Sequence, residues 1–145
     1  MDRSFTERND RERARLRRLI ESLSDAELGR DLGEGWTVAA LLAHLAFWDR
    51  YALAVLETWQ HSGAPPRTGE ADAINAAALP TWRALPPRAA LEGALAAADA
   101  VHARIAALPP PFVAAILATG RLRTLDRSLH RQAHREAIER AIGGA

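Results

Sequence analysis

The sequence predicts an all-α fold, a four-helix bundle with short extra helices in its loops, on three observations. Alanine and leucine dominate while β-branched and aromatic residues are sparse, a composition that favours helix over strand. Apolar residues recur at spacings of three and four over several long stretches, and no stretch alternates as a half-buried strand would. Clusters of proline and glycine separate those stretches. A chain of 145 residues suits one domain, 1–145, with one core.

The first helix is expected from Ser4 or Phe5 to about Leu23, with Leu16, Leu19, Ile20 and Leu23 as its core stripe. Its first half, where Arg8, Arg11, Arg13 and Arg15 alternate with Glu7, Asp10 and Glu12, reads as a solvated face. Ser24 to Leu28 begins a short helical turn, and Gly29, Gly33 and Gly35 then form a connector. The second long helix runs from about Val38 to Gln60. Thr37 is its N-cap, and Trp36 is placed to staple onto Leu41. His61 falls in the loop that follows, which ends in Pro65-Pro66. A helical stretch resumes near Glu70, includes Ile74, Asn75 and Leu79, and is expected to bend or end at Pro80. The third long helix spans about Arg88 to Leu108, with His102 beside its apolar face. Phe112 to Leu117 makes a further short helix. The last helix is expected from Leu122 to Ile142, with Leu122, Leu125, Leu129, Ala133, Ala137, Ile138 and Ala141 facing inward. Four amphipathic helices of this length pack most economically as a bundle, and the longer loops permit a crossover.

Composition narrows the chemistry. Cysteine is absent, so disulfides, thiolate metal sites and a cysteine nucleophile are excluded, which suits a reducing cytoplasm. All 19 basic residues are arginine, yet 18 acids offset them to a net charge of +1, which argues against broad nucleic-acid binding. The charged N-terminus offers no secretory apolar region. The most apolar run, Val38 to Trp48, is too short to span a bilayer, so a soluble protein with no membrane partner is expected.

One histidine breaks into an apolar face. Leu41, His44, Leu45, Trp48, Ala52 and Val55 share one side of the second helix, which places His44 among large apolar side chains. His130 and His134 lie one helical turn apart and point the same way. Three such imidazoles can hold one divalent ion, Zn, Ni or Fe, and leave a position for water or a ligand. This is not the HExxH pattern of metalloproteases, because Arg131 stands where the general-base Glu would be.

The string Trp36-Thr37-Val38-x-x-Leu41-Leu42-x-His44-Leu45-x-x-Trp48, the later Ile74-Asn75 and the terminal His130-x-x-x-His134 together resemble the DinB-like superfamily. The likeness runs over nearly the whole chain. It looks most like the branch with colibactin self-resistance proteins; mycothiol-dependent maleylpyruvate isomerases and bacillithiol transferases are more distant relatives. The resemblance implies a bundle in which His44, His130 and His134 bind a divalent metal. It also implies a homodimer and an activity on a small electrophile, by transfer of a low-molecular-weight thiol or by hydrolysis. Asp49, Tyr51 and Asn75 are the side chains placed to orient an imidazole or touch a small-molecule substrate, with surface pairing, core packing and turn capping as their ordinary alternatives. Arg121, Arg123, Arg127, Arg131 and Arg135 read as a solvated helix face rather than an anion guide. Two other functions fit the same residues: a bundle that sequesters a small molecule without turnover, and a plain dimerisation bundle.

Overall fold

The computed structural model describes residues 2–143. Four long helices, α1 (Phe5–Ser22), α3 (Val38–Ser62), α5 (Pro87–Ala106) and α7 (Ser128–Gly143), are joined through the shorter α2 (Asp25–Leu28), α4 (Ala71–Ala84) and α6 (Pro110–Ala118). The expected all-α bundle is therefore the fold.

Side-chain pairings set the directions of the long helices. Arg13 and Arg17 of α1 both reach Asp99 of α5 at 2.6 Å, while Arg88 at the start of α5 reaches Asp25 just beyond α1, so these two helices run antiparallel. Arg104 donates to Gln60 late in α3, and Gly93 lies beside Arg50, so α3 and α5 are parallel. His44 faces His130 and His134, whereas Asp49 faces Arg127 and Arg131, so α7 runs antiparallel to α3. The order is up-down-down-up. Residues 63–86, with α4 inside them, form the crossover.

The helix ends follow local chemistry. Thr37 Oγ1 accepts from the Ala40 N–H at 3.1 Å, and Ser24 with Glu27 forms a reciprocal capping box at α2. Helix α3 stops at Gly63, whose left-handed φ of 80° closes the last turn onto Trp59 O at 2.8 Å. His61 is thus in the helix, not the loop, and it is exposed. Pro80 ends nothing: α4 continues through it to Ala84. Its exposed ring forfeits one backbone bond at the surface, while the extra turn buries Trp82 against the core.

Two apolar clusters fill the bundle. One gathers Leu16, Ile20, Leu28, Val38, Leu42, Leu45, Trp82, Leu91 and Ile138, and the other gathers Phe5, Val55, Leu56, Trp59, Val101, Ile105, Val113, Ile116 and Leu125. The full length of α3, 25 residues, would satisfy a membrane span by length and composition, unlike its apolar core run alone. Most of that helix is buried by its neighbours instead.

Three expectations need correcting. A small hairpin, β1 (Asp31–Gly33) with β2 (Trp36–Thr37), occupies the glycine connector; Gly33 and Gly35 turn it with φ of 92° and 86°, values that glycine adopts freely, on either side of Glu34 at 54°. The first half of α1 is not wholly solvated. Phe5, Asn9 and Glu12 are buried, because Asn9 bonds the backbone of Leu125 and Arg127 and Glu12 pairs with Arg135. The last helix begins at Ser128, after a 3-10 turn at Leu122–Thr124, and the apolar stripe assigned to it is split: Leu125 and Ile138 are core and Ala137 packs against it, while Leu122, Leu129 and Ala133 face out. Leu129 is 60% exposed and Leu122 40%, and Ala133 is exposed as well. The side of α7 turned into the protein carries Ser128, Arg131, Arg135 and Ile138.

Candidate functional site

The Thr37 cap starts α3 and places His44 in its second turn. At α7 the Asp126 carboxylate accepts from the Ser128 N–H at 3.0 Å and starts the helix two residues before His130. The antiparallel arrangement then brings the rings together. His44 Nε2 lies 3.0 Å from His130 Nε2 and 3.2 Å from His134 Nε2. Sequence spacing anticipated this cluster of three.

Burial keeps these rings neutral. Desolvation, with the neighbouring His134, lowers His44 to about 4, and the nearby Asn75 side chain opposes only part of that drop. Desolvation also lowers His130 to about 2, helped by His134 and the Arg127 guanidinium, and it lowers His134. Neutral imidazoles have lone pairs to give. A metal bound to imidazole nitrogens at about 2.0–2.1 Å holds those nitrogens a little over 3 Å apart, which is the spacing found. The rings meet through Nε2, and the buried Nδ1 atoms of His44 and His130 have no hydrogen-bond partner among the described residues. The three residues fit one divalent ion as a donor set of nitrogen only.

Aromatic rings enclose His44. Trp36, Trp82 and Trp48 stand with ring centres 5.4, 5.3 and 6.5 Å from it. On the open side the histidines line a cleft of about 1540 Å³, whose walls include Trp48, Tyr51, Val55, Leu129 and Ala133. Asn75 of α4 lines it too, and its Oδ1 accepts from Trp48 Nε1 at 2.7 Å, which ties α4 to α3 over the site. The Tyr51 hydroxyl accepts from the Gly69 N–H at 3.4 Å and belongs to the same wall.

Asp49 sits elsewhere. It is 2% exposed, and its two oxygens accept from Arg127 Nε at 3.0 Å and Arg131 Nη2 at 3.1 Å rather than from an imidazole. The arginine row is therefore no solvated face. Arg127, Arg131 and Arg135 are buried on acids of α3 and α1, and Arg131 is 1% exposed, while only Arg121 and Arg123 remain in solvent. Sequence reasoning missed this cluster, although a carboxylate at position 49, four residues after Leu45 and three before Ala52 on the apolar side of the helix, signals a buried base somewhere. His102 is remote from the site, 3.4 Å from Asp10 on the α1–α5 side, and His61 is exposed at the end of α3.

The model of the mycothiol maleylpyruvate isomerase N-terminal domain matches residues 10–138. The chain belongs to this family. It is a DinB-like domain, as the motif string resembled, and the matched span contains all three histidines and both of their helices. Neither a curated protein nor a solved structure matches the chain. Within this family member, the histidine cluster on the cleft is the one group of His, Cys, Asp and Glu among the described residues with metal-binding geometry.

Proposed function

We propose that the protein is a divalent-metal-dependent DinB-like enzyme that acts on a small electrophile, by thiol transfer or hydrolysis, with His44, His130 and His134 as its metal ligands. One observation carries the reading: three neutral imidazoles converge through Nε2 at the wall of a cleft that admits a substrate. A divalent ion held there lowers the pKa of bound water or thiol and polarises the electrophile. The chain has no cysteine, so a transferred thiol must come from a low-molecular-weight cofactor, and the family name points to mycothiol. The protein's own contributions are distinct. The histidines hold the ion, Trp82 packs against His44 away from the cleft, Trp36 and Trp48 flank it on the cleft side, and Asn75 lines the cleft from α4.

A non-catalytic, sequestering role draws on the cleft's size. Its volume exceeds the roughly 300–1,000 Å³ of ordinary ligand pockets, and it is open to solvent along one side. The deciding experiment is elemental mass spectrometry of untagged protein beside His44→Ala and His134→Ala variants shown to be folded by circular dichroism. About one metal per chain in the wild type, absent from both variants, is expected. No uptake of Zn, Ni or Fe would overturn the enzyme reading and leave sequestration.

A further inference from the structure

The cleft has two chemically different ends. Along α3 its lining runs from Leu41 through His44, Trp48 and Tyr51 to Val55. At 1.5 Å per residue, His44 lies close to one end and Val55 about 16 Å beyond it. Because α7 is antiparallel to α3, the residues before α7 fall at the Val55 end. Leu125 packs there, in the same cluster as Ala52, Val55 and Leu56. Arg121 and Arg123, which line the cleft beside Leu122, therefore sit at the end remote from the histidines.

Charge differs between the ends. Among the described residues the Arg123 guanidinium has no partner, and Arg121 Nη1 reaches only the Pro66 carbonyl, at 3.3 Å. Neither arginine meets a carboxylate there. Asp126, also on the cleft, is buried and already bonded to Arg8 and Ser128, and Glu34 lies on the hairpin at the opposite end. Between the ends the walls are mostly apolar, with the guanidinium of Arg127 held on Asp49, and they include the two leucines, 122 and 129, that α7 and its preceding turn leave uncovered.

We propose that the cleft takes an elongated amphiphilic anion, with its carboxylate at Arg121 and Arg123 and its apolar body along Tyr51, Val55 and Leu129. The reacting end then lies at the histidines, an assignment that rests on the enzymatic reading above, whereas the binding mode does not. Apolar length and anionic charge are read by separate groups of residues. A longer chain gains affinity of about fourfold per methylene at full burial, and the guanidinium pair selects against a cation of the same length.

The test is calorimetric titration of the chelator-treated protein with butanoate, hexanoate, octanoate and decanoate, and with decylammonium as the charge-reversed probe. Affinity is expected to rise with each methylene, and decanoate to exceed decylammonium by about tenfold at low salt, a margin that shrinks as salt is added. An Arg121→Gln/Arg123→Gln variant should lose that margin while binding decylammonium no more weakly. Equal affinities for the two decyl probes, or a margin unchanged in the double variant, would overturn the proposal. So would a margin that appears only after metal is restored, because the carboxylate would then sit on the ion. Wild-type protein that takes up no metal yet shows the margin would sink the enzyme reading and leave this inference standing.

Discussion

Replacing Asp49 by asparagine removes one negative charge and almost no volume, so its cost isolates buried electrostatics. In the folded protein Arg127 and Arg131 share that carboxylate at 3.0 and 3.1 Å, and the exposures are 2% for Asp49 and 1% for Arg131. The Asp49→Asn change would leave two buried guanidiniums without a counter-charge. Asp126, the other buried aspartate among the described residues, is committed to Arg8 and Ser128. Stripping one partner from a buried pair costs about 3–5 kcal/mol, a large share of the roughly 5–15 kcal/mol that holds a domain together. For a chain of this length that corresponds to a melting point lower by roughly 10–15 °C. Urea unfolding followed by circular dichroism at pH 7.5 measures it. Asp99→Asn is the control, because Asp99 also binds two arginines but is half exposed, and its loss should cost about 1 kcal/mol or less. Equal losses for the two variants, or an Asp49→Asn loss below about 1 kcal/mol, would refute the argument from burial. Replacing the whole cluster, Asp49→Leu with Arg127→Leu and Arg131→Met, should recover most of the lost stability, since no unpaired charge then remains.

Other outcomes follow from the same geometry. Unfolded histidines take up protons near pH 6.5, whereas folded His44 stays neutral to about 4 and His130 to about 2, so stability is complete above pH 6.5 and falls below it. The loss is about 1.4 kcal/mol per pH unit for each ring, and urea midpoints at pH 7.5, 6.0 and 5.0 with chelator present should show it; a flat profile would contradict neutral burial. Thr37→Ala removes the Ala40 N–H acceptor and should lower the urea free energy by about 1 kcal/mol. Leu129→Gln should change stability by no more than about 0.5 kcal/mol, against about 2–5 kcal/mol for truncating a core leucine, and a core-sized loss would place Leu129 inside after all.

The parts of this protein legible in the sequence are those decided locally. The Thr37 cap, the helical turn after Ser24 and the helix stops at Gly63 and before Pro109 each depend on residues within about one turn, and each is found where the local pattern puts it. The three histidines were legible for another reason: an imidazole inside an apolar face and a pair one turn apart are conspicuous without any knowledge of distance. The arginines were not. Arg131 is buried because Asp49 lies 82 residues earlier, and Arg135 because Glu12 lies 123 earlier, and no local window holds both partners. Pro80 and the hairpin escaped similarly, since Trp82 gains its burial from Trp36 and Phe47 on other segments.

The rotation of α7 puts Leu129 and Ala133 on the cleft wall. By periodicity the helix should turn Leu129 and Ala133 into the bundle. The observed helix instead buries Arg131 and Arg135, tied to α3 through Asp49 and to α1 through Glu12. On a helix, a side chain bonded on one flank fixes the rotation of all the others. With those two arginines anchored, His130 and His134 meet His44, and Leu129 and Ala133 become a wall rather than core. Buried ion pairs add little net stability over apolar residues of similar size, so Arg131 on Asp49 and Arg135 on Glu12 matter here for the face of α7 they turn inward. The outward face of α7 borders an apolar cleft with three imidazoles on its wall and Arg121 and Arg123 at its far end.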